Sequence, residues 1–230
     1  MMSNNLRTKA IILRRTNYGE ADRILTVLTP NDGVLSVMAR GVRREKSRLA
    51  GGIELFAVCD VNLVKSANKV STMWTLTGAR VEQNFYSIID DFAKMEFGYE
   101  AIKQVTRAAE NIDASAYFDL LGATLTALNN PAINLKITET WFYLHLAKIG
   151  GTELNLRTDR NGMKLLEDAR YVWDDHEQAF LFANVGQYGV DQIKILRILS
   201  SNTPAIVAKI AQINNYIDDC LLVAKSAAKV

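Results

Sequence analysis

The feature that most constrains this chain is a change in the spacing of its apolar residues near residues 80–90. Before that point apolar and polar residues alternate, which is the period of a β-strand with one buried face. From Asp90 onward apolar residues recur at spacings of three and four, which is the period of an α-helix. The two patterns predict an α+β protein with two domains, residues 1–80 and residues 81–230.

The first domain is expected to consist of short strands. The strands are predicted at Thr8–Arg15, Ala21–Pro30, Val34–Arg40, Glu54–Lys65 and Val70–Arg80. Thr29–Gly33 has the Pro, Asp and Gly of a tight turn, so the second and third strands should form a hairpin. One face of the fourth strand is apolar throughout: Leu55, Ala57, Cys59, Val61 and Leu63. So many strands with few helix signals favour a small closed barrel or a sandwich.

The second domain is expected to be an α-helical bundle. Its first two helices are predicted to bury Phe92, Met95, Tyr99, Ile102 and Thr106, and then Phe118, Leu121, Leu125 and Leu128. The helix over 132–149 is apolar on two faces, which predicts a central position. A hairpin turning at 174–177 and a short helix from Val190 follow. The last helix, starting at Thr203–Pro204, is predicted to bury Ile206, Ile210, Ile213, Ile217 and Leu221.

Composition excludes several classes of protein. The sequence has no secretory signal pattern and no apolar run long enough to span a membrane. Its two cysteines, Cys59 and Cys220, are too few for a disulfide framework, so a reducing cytoplasm is the expected compartment.

Charge is divided unequally along the chain. Residues 1–80 hold 13 Lys and Arg against 6 Asp and Glu, whereas residues 81–230 hold 14 against 19. The difference in charge predicts that the two domains bind different partners. The basic first domain is expected to bind nucleic acid.

Positive charge is densest in RGVRREKSRLAGG, residues 40–52. Its basic residues are Arg40, Arg43, Arg44, Lys46 and Arg48. Charges so close repel one another, so the segment needs either water or an acidic partner. A solvated surface loop is the simplest explanation. Because arginine forks bind phosphate with paired hydrogen bonds, the density of charge favours contact with DNA instead.

Three landmarks between Lys9 and Phe56 carry a family resemblance: the tract YGEADRILTVLTP, the hairpin glycine Gly33 and the loop ARGVRREKSRLAGG. With these spacings the segment resembles the amino-terminal signature of the bacterial recombination mediator RecO family. The helical remainder agrees with that family in length and order. The resemblance implies an OB-fold β-barrel followed by an α-helical domain.

The same resemblance implies a function. RecO proteins bind single- and double-stranded DNA, anneal complementary strands, and work with RecR and the single-strand-binding protein SSB, through its C-terminal tail, to load RecA. The chain is therefore expected to be a non-enzymatic DNA repair and recombination mediator, cytoplasmic and nucleoid-associated, with no cofactor. Two alternatives stay open: an OB-fold RNA-binding factor, and an adaptor whose basic loop binds an acidic protein tail.

The DNA-binding residues are expected on the barrel. The candidates are Arg40, Arg43, Arg44, Lys46, Arg48, Lys9, Arg14, Arg23 and Tyr18. OB-folds also stack bases on exposed aromatic rings, and Tyr18, in the first turn, is the best placed for this. Trp74 alternates with apolar positions, which favours core packing. Phe56 lies opposite the apolar face of its strand, and either role is open to it.

No catalytic constellation is predicted. Cys59 and Cys220 fall on or beside apolar faces and are interpreted as packing residues. His145 lies among apolar residues of the central helix and is interpreted as a core or boundary residue. The paired aspartates of the chain are interpreted as helix starts, turns or solvated faces rather than metal ligands.

Many members of the resembled family carry a four-cysteine zinc site in the region that here spans about 150–190. This segment has no cysteine, and His176 is its only potential soft ligand, whereas structural zinc requires four Cys or His ligands. The region is therefore expected to be a cysteine-free remnant, its hairpin held by Tyr171, Trp173, Phe180 and Phe182.

We predict that the purified protein contains no stoichiometric zinc and unfolds at the same temperature with and without a chelator. The reason is the missing ligand set, since a structural zinc would contribute directly to folding stability. Elemental analysis and paired thermal melts measure this. One tightly held zinc per chain would contradict the prediction.

Overall fold

A computed structural model describes residues 5–65, 73–109 and 114–228 of the chain. The chain divides into two compact units, residues 1–129 and residues 130–230. The change from strands to helices lies near the predicted boundary at 80/81, and two helices that follow it belong to the first compact unit. None of the helices in the described ranges has both the length and the apolar character that a membrane span requires.

The first unit contains a closed five-stranded barrel, which agrees with the predicted α+β class and with the barrel expected for the first domain. Its strands are β1 (Asn5–Tyr18), β2 (Asp22–Thr29), β3 (Gly33–Ala39), β4 (Ala57–Lys65) and β5 (Trp74–Asn84). The order around the barrel is β1-β2-β3-β5-β4. The predicted strand at Val70–Arg80 is confirmed from Trp74 onward, and its first residues lie outside the described ranges.

The barrel closes because β1 pairs with two strands. Its first half pairs antiparallel with β4, its second half pairs antiparallel with β2, and Ile11 is paired on both sides. A register shift between Ile12 and Arg14 then interrupts the pairing of β1 with β2. A short parallel pairing of β3 with β5, at Val37 and Met38, completes the circle.

Alternation along the strands fills the barrel with apolar side chains, as strand periodicity requires. The predicted apolar face of β4 is buried from Ala57 to Leu63, and Leu25 and Val27 of β2 meet it inside. Phe56, whose role was left open, is 3% exposed and packs edge-on against Tyr99, with 5.1 Å between ring centroids.

Two helices complete the first unit, α1 (Phe92–Ala108) and α2 (Ala114–Asn129). The stripe predicted for α1 is confirmed only in part: Ile102 is buried, but Phe92 is 74% exposed and Tyr99 is 47% exposed. The buried face is instead Phe97, Gly98, Ala101, Ile102 and Val105. Gly98 lets this face approach the barrel residue Phe56 closely, since a Cβ at Gly98 would lie 2.8 Å from the Phe56 ring.

The second unit is built around α3 (Leu135–Ile149), whose predicted central position is confirmed by burial on several sides. The elements around it are β6 (Arg170–Asp174), β7 (Ala179–Ala183), α4 (Val190–Ser201), α5 (Pro204–Val207) and α6 (Ile217–Ala227). The last three helices all pack against α3. The predicted hairpin is confirmed, since β6 and β7 pair antiparallel across 174–179.

The predicted continuous last helix is wrong. The chain forms the short α5, then turns, and begins α6 only at Ile217. Gln212 has φ +63, a left-handed conformation that no helix continues through. Of the predicted stripe, Ile213 and Ile217 are buried, whereas Ile206 is 52% exposed and its neighbour Val207 is buried.

Gly52 supplies a stability test of the segment between β3 and β4. A Cβ at Gly52 would lie 2.6 Å from backbone atoms of Ala79, whereas a Cβ at Gly51 would meet nothing within 4 Å. We expect Gly52→Ala to lower the free energy of unfolding by about 1–3 kcal/mol because β5 must move. Gly51→Ala, the matched control, should change it by less than about 0.5 kcal/mol.

Chemical denaturation of the two variants beside the parent protein measures these differences. Equal stability of the two variants would show that the close approach to Ala79 does not constrain this segment.

Candidate nucleic-acid interface

The basic loop, Arg40–Gly52, connects β3 to β4 and is held to the barrel by apolar anchors. Val42 is 3% exposed, and Ile53, directly after the loop, is fully buried. The five cations between and beside these anchors are all exposed. The buried anchors therefore hold the loop backbone against the barrel, while the charged side chains are exposed to solvent.

The start of the basic loop is hydrogen-bonded to the turn between β1 and β2, residues Gly19–Ala21. The backbone N–H of Arg43 donates to the carbonyl of Ala21 at 2.9 Å, and Nη1 of Arg43 donates to the carbonyl of Gly19 at 3.2 Å. Just beside the turn, Oδ1 of Asp22 accepts the N–H of Gly41 at 2.7 Å. The loop and the β1–β2 turn thus form one continuous surface, called here the loop–turn surface.

Further along, the loop closes on itself in successive turns. The N–H of Arg44 donates to the carbonyl of Gly41 at 3.1 Å, and the N–H of Ser47 donates to the carbonyl of Arg44 at 3.0 Å. Oγ of Ser47 accepts the N–H of Leu49 at 3.3 Å. These bonds order the loop backbone locally, so the Cα atoms that carry the exposed side chains have defined positions.

Within the described residues, none of the loop cations forms an ion pair with a carboxylate. Arg40, Arg44, Lys46 and Arg48 therefore leave their charge available to a ligand. Arg43 is different, because its guanidinium is partly occupied by the carbonyl of Gly19. An anionic strand is the kind of partner that compensates such a cluster.

The predicted DNA-binding cations outside the loop lie at different distances from the loop–turn surface. Arg23 lies on β2 opposite Ala39, next to the start of the loop, and its Nε donates to Oδ1 of Asn17 at 3.2 Å. Lys9 lies in the half of β1 that pairs with β4, and its ammonium is paired with Glu82, whose hydrogen bond raises the pKa of Lys9. Arg14 is exposed on β1 beyond the register shift. The structure thus brings Arg23 to the loop–turn surface and leaves Lys9 apart from it.

Tyr18 is the aromatic residue of the loop–turn surface. It ends β1 opposite Asp22 and is 54% exposed. Trp74 is half-buried against the barrel core, with Nζ of Lys65 lying 5.5 Å from its ring centroid. Of the three aromatic candidates, Tyr18 is the one with an open ring beside the loop, since Phe56 is buried.

Two features of this unit were missed by sequence reasoning. Asp22 lies far from Gly41 in the sequence, and nothing in its local pattern indicates that its carboxylate accepts the Gly41 N–H. The second feature is a row of exposed apolar residues at a spacing of three, Tyr86, Ile89 and Phe92. Their spacing could have revealed it, since the three residues follow one another at intervals of three where a 3-10 turn leads into α1.

The region of the family zinc site is held by other interactions. The rings of Tyr171, Phe180 and Tyr188 pack edge-to-face, with centroids 6.2 and 5.6 Å apart. Oδ1 of the buried Asp159 accepts the N–H groups of Asn161 and Met163, both at 2.9 Å.

The donors in this region do not fit zinc. In the described ranges, no cluster of three or more His, Cys, Asp or Glu side chains could hold a metal ion. His176 is 94% exposed at its side chain, and the Asp159 carboxylate is used by backbone N–H groups. No step of the proposed function is routed through a metal.

The buried nucleophiles are inactive in their surroundings. Burial raises the pKa of the Cys59 thiol to about 11 and that of the Cys220 thiol to about 12. The His145 ring stacks on Trp141, with centroids 4.2 Å apart, and burial lowers its pKa. These groups support packing and offer no paired nucleophile and base.

Comparison with known proteins supports the family resemblance. Residues 2–85 match the family model described as "Recombination protein O N terminal". The "DNA repair protein RecO" of Dehalococcoides mccartyi strain CBDB1 is 30% identical over 224 residues, covering 93% of this chain and 85% of that protein. Its namesake in another strain of the same species is 32% identical over 170 residues, covering 73% of this chain and 65% of that protein.

A third relative extends the comparison to another genus. The "DNA repair protein RecO" of a Roseiflexus species is 38% identical over 141 residues, which cover 61% of this chain and 48% of that protein. The similarity therefore includes residues well beyond the barrel.

We predict that neither thiol reacts with a thiol-specific reagent in the folded protein near pH 8, whereas both react at once in denaturant. With pKa values of about 11 and about 12, the reactive thiolate is a minor species. Because the unfolded chain loses its thiol protons first, stability should also decline as pH rises above about 9. Rapid labelling of one thiol in the native state would contradict the prediction.

Proposed function

Because the chain belongs to the RecO family of DNA repair proteins, we propose that it binds single- and double-stranded DNA through the loop–turn surface and anneals complementary strands. A role in DNA repair and recombination follows from the family itself. The proposal assigns DNA binding to the barrel domain, residues 1–80. It names as contacts Arg40, Arg43, Arg44, Lys46, Arg48, Arg23, Arg14, Lys9 and Tyr18.

The observation that carries the proposal is a set of exposed loop cations on an anchored backbone, which have no carboxylate partner among the residues that the structure describes. A free loop would lose conformational entropy when it bound, at about 1–2 kcal/mol for each residue that becomes ordered. The bonds from Gly41 and Arg43 to the β1–β2 turn supply part of that order beforehand. A smaller part of the free energy gained from phosphate contacts is then needed to offset the entropy lost when the loop becomes ordered.

The position of the surface on the barrel supports the same ligand. OB-folds commonly bind oligonucleotides over strands 2 and 3 and the loop between strands 1 and 2. Tyr18 and Arg23 lie there, beside the basic loop. Tyr18 provides a ring on which a base can stack, with a contribution of about 1–3 kcal/mol per stacked base in proteins of this type.

Annealing requires no chemical step by the protein. Two strands repel each other through their phosphates, and cations between them lower that repulsion until base pairing proceeds. The buried thiols and the isolated histidines offer no nucleophile for catalysis, so the proposed function is that of a mediator and not of an enzyme.

The proposal includes the partners implied by the family: RecR, the C-terminal tail of SSB and, indirectly, RecA. They would act in the cytoplasm, at the nucleoid. Exposed apolar side chains support a protein-binding role. Examples are Ile89 and Phe92 in the first unit and Val172 and Leu222 in the second. Contiguous exposed apolar patches mark sites of protein contact, and Ile89 and Phe92 are close together in the chain, where it enters α1.

The salt dependence of DNA binding tests the proposal. Each phosphate that a cation neutralises in a single strand contributes a slope of about −0.7 to log K against log salt. Replacing Arg44, Lys46 and Arg48 with Ala should therefore flatten the slope by roughly 2, with similar losses for different base sequences. Arg43 is left in place because it also anchors the loop.

The control is a variant with Lys164, Lys194 and Lys209 of the second unit replaced by Ala, which removes the same charge elsewhere. Its slope should stay near that of the parent protein. Equal flattening in both variants would mean that binding follows total charge. Unchanged binding by the loop variant would mean that the loop is only a solvated surface.

Annealing of complementary oligonucleotides coated with SSB tests the mediator role directly. Tight binding of an acidic peptide in place of DNA would favour the alternative function, an adaptor whose basic loop binds an acidic protein tail.

A further inference from the structure

Asp22 is a carboxylate whose hydrogen bond goes to the backbone of the basic loop. It begins β2, is half-buried, and lies beside the start of a loop with five basic residues. Within the described ranges it forms no ion pair. Its Oδ1 instead accepts the backbone N–H of Gly41 at 2.7 Å.

The bond from Gly41 is made at the point where the chain leaves β3. Gly41 has φ +63, a left-handed conformation that turns the chain sharply. The Arg43 N–H then bonds to the carbonyl of Ala21, next to Asp22. These two bonds determine the direction in which the loop leaves the barrel, and so where its cations lie.

We propose that Asp22 is a positioning residue for DNA binding: by holding Gly41, it directs the basic loop along the β1–β2 turn. This inference rests on the proposed function, because that function identifies DNA as the ligand. The bond between Asp22 and Gly41 is observed whether or not the protein binds DNA. A hydrogen bond to a charged acceptor is stronger than one to a neutral acceptor, which suits a carboxylate to this purpose.

The proposal makes a prediction opposite in sign to that of simple electrostatics. Asp22 carries a negative charge close to where a phosphate strand would lie, so by charge alone its removal should tighten DNA binding. If Asp22 positions the loop, its removal should weaken binding, because the loop must then be ordered by the ligand.

The experiment compares three full-length variants: Asp22→Ala, Asp22→Asn and Glu20→Ala. Asp22→Ala removes the acceptor and the charge, and Asp22→Asn keeps an acceptor oxygen without the charge. Glu20→Ala is the matched control, because it removes one charge from the β1–β2 turn without touching Gly41. An oligothymidine measures affinity across a salt series, and hydrogen exchange measures protection of the amides at 41–44.

We expect Asp22→Ala to bind the oligonucleotide roughly tenfold more weakly, the order expected for one lost bond to a charged acceptor. Its salt slope should be unchanged, because no phosphate contact is removed, and its amides at 41–44 should exchange faster. Asp22→Asn should restore part of the affinity and of the protection, because its amide oxygen still accepts the Gly41 N–H but less strongly than a carboxylate does. Glu20→Ala should bind as tightly as the parent protein or more tightly.

Two results would overturn the proposal. One is Asp22→Ala binding as tightly as Glu20→Ala does. The other is unchanged exchange at 41–44 in Asp22→Ala. A fall in melting temperature shared by Asp22→Ala and Asp22→Asn would indicate a general structural role instead. If the parent protein binds no oligonucleotide, the proposed function fails, while the exchange data still decide whether Asp22 holds the loop.

Discussion

The double pairing of β1 is the constraint on which the rest of the first unit depends. This strand pairs with β4 along its first half and with β2 along its second half, and Ile11 is paired on both sides. This closes the barrel and buries the alternating apolar residues inside. It also determines where β1 ends, and therefore where Tyr18 and the β1–β2 turn lie.

The register between β2 and β3 then brings the basic loop to that turn. Arg23 lies opposite Ala39, so the chain leaves β3 at the same end of the barrel where β1 turns into β2. Self-repulsion among the loop cations favours an extended, mobile segment. Backbone hydrogen bonds and the burial of Val42 and Ile53 oppose it. The result is a loop whose backbone is constrained and whose charges are exposed, a combination suited to an anionic strand.

The second unit shows how a hairpin is stabilised without the ligands of a metal site. The packed rings of Tyr171, Phe180 and Tyr188 bury apolar area, and the Asp159 carboxylate satisfies backbone donors of the neighbouring turn. Both contributions are local to the segment, so its shape does not require a bound ion. Central burial of α3 gives this unit its own core, as the two apolar faces of that helix indicate.

Local pattern by itself determined where the strands lie along the chain, the β6–β7 hairpin, the central place of α3 and the density of charge in the basic loop. All of these depend on residues close together in sequence, where periodicity, turn residues and composition act directly. Tertiary structure decided the rest. Packing selected the face of α1 that includes Gly98 and left Phe92 exposed, and it buried Phe56. A left-handed residue at Gln212 divided the last helix. The bond between Asp22 and Gly41 exists only because the pairing of β2 with β3 brings together residues far apart in the chain, which no local period encodes.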